Sequence, residues 1–219
     1  MGISFGTDGW RATLEEFTDE RVRTVGRAVA AHLAAEGATG EVLVGYDARA
    51  TSEGFAESLA EELAAAGYDA TLPERDRPTP VVAWNVVERG AAGALMVTAS
   101  HNPPSYNGVK FVPADGAPAL PDVTDDIEAR LGDDAPAGDG SVARADLLSP
   151  YVDHALAFED RDLSGLTVAY DAMHGSGRGV TDALLERAGA DVVRLRCDAD
   201  PTFGGTPPEP AREHLDDLV

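Results

Sequence analysis

The chain has 219 residues, enough to bury a core and to build one large or two ordinary domains. Its 39 acidic and 17 basic residues leave a formal net charge of -22, which argues against nucleic acid and anionic membranes as partners. The single Cys197 excludes an intramolecular disulfide, and no stretch reads as a signal peptide or a spanning helix, so a soluble cytoplasmic protein is expected.

In chain order, Phe5-Gly6-Thr7-Asp8-Gly9-Trp10-Arg11 reads as an N-terminal turn carrying a solvated charge. Thr18 suits the N-cap of a helix with Asp19 and Glu20 in its first turn, a stripe of Val22, Val25, Val29 and Leu33, and Gly37 as its stop. Residues 41–46 form an apolar strand. Asp47-Ala48-Arg49 follows where open α/β sheets place ligand groups, although a structural salt bridge in the turn explains it equally well. A helix over 52–66 and a strand over 69–72 come next. Arg75 and Arg77 read as surface charge able to attract phosphate, ahead of a helix over 81–89 with prolines in its first turn. The strands predicted at 93–98 and 109–112 complete a first α/β layered domain, with a mixed sheet because a loop joins the last pair.

A short helix over 124–131 leads to residues 132–141, rich in Gly, Asp, Ala and Pro, which read as a flexible acidic connector. The domain boundary is placed at 146/147, giving 1–146 and 147–219. The second unit begins with a helix over 147–158 and a strand over 166–170. The glycines from Gly175 to Gly179 then suggest tight packing ahead of a helix over 180–188, since the dinucleotide signature is not met. A strand over 190–195 precedes Asp198 and Asp200, whose spacing is open to a metal.

The stretch from Thr98 to Lys110, TASHNPPSYNGVK, carries the chemistry. A hydroxyl, Ser100, is delivered at a strand end into a loop of asparagines, prolines and a glycine that shape the backbone. Lys110 is the only lysine in the chain; unlike arginine it can give up a proton when its surroundings lower its pKa. A capped polar turn is the bland reading, and a serine hydrolase is disfavoured by the missing Gly-x-Ser-x-Gly elbow. A phosphorylated Ser100, with imidazole, lysine and backbone N–H groups to meet its charge, fits the surrounding residues.

Thr-Ala-Ser-His-Asn-Pro-x-x-x-Asn-Gly-x-Lys resembles the phosphoserine loop of the α-D-phosphohexomutases, the phosphoglucomutase and phosphomannomutase family, and Phe5 to Arg11 is similar to that family's opening segment. The resemblance implies an intramolecular phosphotransferase of the isomerase class with Ser100, His101, Lys110 and Arg11 catalytic, and Thr7, Asn102 and Asn107 binding phosphate or substrate. Hexose phosphates and hexose 1,6-bisphosphate are the implied partners. Mg2+ is the implied cofactor, touching this chain through the phosphate on Ser100. The family's Asp-Gly-Asp-x-Asp-Arg metal loop, sugar loop and phosphate-anchoring loop are not found in this sequence. The chain is therefore expected to be the N-terminal half of a four-domain fold, its second domain incomplete, inactive alone and prone to self-association through exposed interdomain surface. The competing expectation is a non-catalytic binding or scaffold module that keeps the fold.

So acidic a chain with one lysine matches adaptation to high salt, where at ~1 M the Debye length is about 3 Å and self-repulsion is screened. Dialysis from molar salt into dilute buffer is expected to abolish the folded circular dichroism spectrum; an unchanged spectrum would refute the adaptation.

Overall fold

The computed structural model describes residues 2–6, 9–158 and 161–218. A six-stranded mixed sheet runs in the order β1-β5-β4-β2-β3-β6. Its strands are β1 (Gly9–Thr13), β2 (Glu41–Tyr46), β3 (Asp69–Pro73), β4 (Gly93–Val97), β5 (Tyr106–Pro113) and β6 (Val142–Ala145). The four strands from β4 to β6 are parallel, and β5 is antiparallel to both β4 and β1.

Helices cover both faces, which is why β2 and β4 are apolar along almost their whole length. On one side α1 (Asp19–Ala35), α2 (Ser52–Ala65) and α4 (Pro121–Ala129) enclose a core containing Phe17, Val25, Leu59, Leu63, Leu95, Val109 and Phe111. On the other, α3 (Thr79–Arg89) lays Val82 and Val86 on Leu43, Ala94, Met96 and Val112. Thr18 sits at the N-cap of α1 with extended backbone, but its hydroxyl makes no capping bond.

Two strands escaped the sequence reading. Gly9–Thr13, taken for a turn, is the edge strand β1, and its register sets Arg11 against Gly108 and Gly9 against Lys110. The 132–141 segment, taken for a flexible connector, lies on the end of α2. Gly138 and Gly140 donate their N–H groups to the carbonyls of Ala65 and Ala64 at 2.8 and 2.9 Å, the second shared with the Gly67 N–H, at the helix C-terminus where carbonyls lack intrahelical partners. A β-carbon on Gly138 would lie 2.3 Å from the Gly67 backbone, so this approach requires glycine. The segment then feeds β6 onto the edge of β3.

The second unit holds α5 (Leu148–Phe158) and a sheet of two parallel strands, β7 (Thr167–Asp171) and β8 (Asp191–Leu195), joined through α6 (Thr181–Arg187). Its contact with the first unit is partly apolar, through Val81, Leu147 and Val180, with Trp84 edge-on to Tyr151. The rest is charged. Arg178 grips Asp76 with two hydrogen bonds of 2.7 Å, the paired geometry that suits guanidinium and carboxylate. Arg77, expected on the surface, is buried at 5 % exposure, and its Nε finds no partner among the described residues.

Gly45 in β2 shows how tightly α3 sits on the sheet. A β-carbon there would meet Val82 at 2.5 Å and the Met96 sulfur at 2.8 Å. Gly45→Val should therefore lower unfolding free energy by about 1–3 kcal/mol, read as a shifted denaturation midpoint.

Candidate active site

The site is built where parallel strands β2 and β4 end side by side. The Asp47 N–H bonds the Val97 carbonyl at 3.0 Å, so the turns after the two strands are locked together. Beyond β4, Thr98 still pairs with Gly108, donating N–H to its carbonyl at 2.9 Å. The Thr98 hydroxyl then accepts the Ser100 N–H at 2.9 Å. Ser100 has φ 58°, in the left-handed region that a side chain rarely occupies, and it is exposed. Its Oγ lies 3.4 Å from Nδ1 of the exposed His101.

Arg49 holds this turn in place. Its side chain is 1 % exposed, and Nε donates to Asp47 at 3.0 Å. The two terminal nitrogens donate to four loop carbonyls: Ser100 at 3.0 Å, Asn102 and Pro103 at 2.7 Å, and Tyr106 at 3.2 Å. Asp47-Ala48-Arg49 thus forms the turn's salt bridge and also supports the loop that bears Ser100. A buried arginine facing carbonyls carries no sequence pattern of its own. The only available signal was its place after a parallel strand.

A cleft of about 260 Å³ opens beside Ser100, with Asp47 and Thr98 on one side and Asp171, Met173, Ser176 and Phe203 of the second unit on the other. Burial alone would raise the Asp171 carboxyl; hydrogen bonds from Arg196 and the Met173 N–H outweigh it and leave the group below its ordinary value of 3.8. Asp200 is lowered as well, by the hydroxyl and N–H of Thr202 and by the N–H of Gly204, so its carboxylate shapes a turn. Gly177 packs against the Tyr170 hydroxyl and Gly179 against Arg75.

The remaining predicted residues are distributed around this centre. Arg11 and Lys110 lie on the same face of the sheet as Gly108, and the row Arg11, Gly108, Thr98 crosses three adjacent strands. At ~4.8 Å per strand, the Arg11 backbone stands about 10 Å from Thr98. Arg11 is exposed and lines a cavity with Pro113 and Leu120; Lys110, half-buried, lines another with Thr79, Pro80 and Ala83. Neither of these cavities includes Ser100. Asn102 is half-buried in the loop. Asn107 is fully buried: its amide donates to the hydroxyls of Thr51 and Ser52, both at 3.0 Å, and its oxygen accepts the Gly108 N–H at 2.8 Å. It therefore braces the loop from below. Thr7 lies outside the described residues.

Among the described residues no three His, Cys, Asp or Glu side chains come together as a metal site. The donor set of the described residues does not by itself fit Mg2+.

The family description for phosphoglucomutase/phosphomannomutase, alpha/beta/alpha domain I, matches residues 2–136, and that for alpha/beta/alpha domain II matches 149–219. The chain belongs to the phosphoglucomutase/phosphomannomutase family. A phosphoglucosamine mutase from Acidothermus cellulolyticus is 36% identical over 207 residues, covering 90% of this chain and 44% of its own. A phosphopentomutase from Thermococcus kodakarensis is 34% identical, covering 96% of this chain and 46% of its own. The crystal structure of a phosphoglucomutase/phosphomannomutase family protein from Burkholderia thailandensis superposes with a TM-score of 0.89 at 28% identity, over 99% of this chain and 50% of that one. The chain spans about half the length of the curated relatives it matches.

Replacing Arg49 by methionine would remove the donor shared by four carbonyls and the counter-charge of Asp47, leaving the Pro103 carbonyl only the Tyr106 N–H and the Asp47 carboxylate the Ser52 hydroxyl and the backbone N–H of residue 49. We expect a loss of about 3 kcal/mol in chemical denaturation, with faster proteolysis between residues 99 and 107 than in the wild type.

Proposed function

We propose that this chain is the phosphoserine-bearing part of a phosphohexomutase, interconverting hexose 1-phosphate and 6-phosphate through a bisphosphate. One observation carries the reading: Ser100 is exposed at a cleft, in left-handed backbone, with its carbonyl fixed by a buried guanidinium. A nucleophile that must alternate between free and phosphorylated forms benefits from being held before the reaction begins.

In the forward half-reaction a hydroxyl of the sugar monophosphate attacks the phosphorus on Ser100. The P–Oγ bond breaks, a P–O bond to the sugar forms, and the proton of the attacking hydroxyl passes to a base while Ser100 recovers one. Lys110 is the proposed proton carrier, being the one lysine of the chain and on the sheet face that continues toward Thr98. His101 and Arg11 are proposed to meet the phosphate charge, Arg11 by extending its side chain along the Arg11–Gly108–Thr98 row. Asn102 and Thr7 are assigned to phosphate binding on the motif alone. Mg2+, when bound in the family, would supply further charge neutralisation at the seryl phosphate. The named relatives act on hexosamine and pentose phosphates; a hexose is preferred here on the strength of the motif. Among the described residues no helix is long and apolar enough to cross a membrane.

Incubation with glucose 1,6-bisphosphate should add one phosphate-sized mass to the chain, mapped to Ser100 and lost in Ser100→Ala. Lys110→Ala should slow loading about 100-fold. No adduct under any salt condition, or one that survives Ser100→Ala, would leave the non-catalytic scaffold as the better description.

A further inference from the structure

Phe203 is buried at 5 % exposure at the edge of the cleft, yet it belongs to the second unit. Its ring covers the Arg49 guanidinium, with the guanidinium carbon 5.3 Å from the ring centroid. That distance is within reach of a cation–π attraction. Asp47 and the four carbonyls take up the N–H edge of the Arg49 guanidinium, and the ring covers a face of the group that holds Ser100.

The backbone around Phe203 is built to present it. Phe203, Gly204 and Gly205 have φ values of 56°, 67° and 76°, three successive left-handed residues, and the first bears a bulky side chain. The turn is fastened by Asp200, which accepts N–H groups from Thr202 and Gly204 at 2.8 and 3.0 Å, while the Phe203 N–H bonds the Asp200 carbonyl at 3.0 Å. Left-handed backbone at a large residue persists only where its surroundings over-determine it. Here the Asp200 turn and the pocket over Arg49 do so together.

We infer that Phe203 is a positioning residue through which the second unit stiffens the Ser100 loop: its ring holds Arg49 in the orientation that grips the carbonyls of Ser100, Asn102, Pro103 and Tyr106. The effect on loop order depends on geometry alone, and its effect on phosphoryl transfer rests on the function proposed above. The two are therefore read separately.

Hydrogen exchange on the 219-residue chain reports the first. In Phe203→Ala, the amides of Asn102 and Tyr106, which bond to Ala99 and Pro103, should exchange about tenfold faster, while those of Leu95 and Met96 stay unchanged. Phe203→Leu keeps an apolar cover without a π face and should show a partial effect; Phe203→Tyr should restore wild-type exchange. Loading of Ser100 by glucose 1,6-bisphosphate should slow in the same order, through the rate at saturation and not the half-saturating concentration. Unchanged loop exchange in Phe203→Ala, or full restoration by Leu, would overturn the inference. Failure of the wild-type chain to load would refute the phosphoserine reading and leave the exchange result standing.

Discussion

A charge taken out of water is the constraint on which the cleft depends. Arg49 carries its guanidinium with almost no solvent contact, a position that is strongly unfavourable unless every donor is met. Asp47 neutralises it, four backbone carbonyls complete it and an aromatic face closes it. The carbonyls depend on the arginine in turn. Three of them, those of Ser100, Asn102 and Pro103, belong to a segment with no regular ladder of its own, and the arginine is the donor that ties them to the end of β5 at Tyr106. The conformation of Ser100, costing roughly 1–2 kcal/mol for a residue with a side chain, is held by that mutual requirement.

The sheet makes the arrangement possible. β2 and β4 are parallel neighbours in register, so their ends bring Asp47 to Arg49 and Thr98 to Ser100 together without either segment being near the other in sequence. β5 returns antiparallel and supplies Asn107, which ties the far end of the loop to Thr51 and Ser52 at the start of α2. The loop is therefore clamped by Arg49 in the middle, by Thr98 at its start and by Asn107 at its end. Each clamp comes from a different part of the first unit, and the phenyl ring over Arg49 adds the second.

Most of the layered architecture was legible because it is written in local pattern: the valine stripe of α1, the apolar runs of β2 and β4, and the prolines opening α3. The features that escaped depend on partners distant in the chain. β1 contains a glycine and no alternation that would announce a strand, and it is a strand because β5, about a hundred residues on, offers it a partner. β6 is short and mostly exposed, and it exists because β3 has an open edge. At the site, the motif singled out Ser100 and His101, chain neighbours whose Oγ and Nδ1 lie 3.4 Å apart. The same motif names Asn107, whose side chain meets two hydroxyls and an N–H below the loop, partners that no local pattern announces. Arg77, one more arginine among many in the sequence, proved to be enclosed, because burial is decided by what the tertiary fold stacks above a residue.

The solitary lysine has a chemical corollary. With every other basic side chain a guanidinium or an imidazole, the molecule offers amine-directed reagents one side-chain target, and that target stands on β5 against the opening of α3. Acylation at this side chain, separated from that of the α-amine by peptide mapping, is therefore a one-residue reporter: its rate measures how open the wall beneath α3 stands to solvent, without any engineered label.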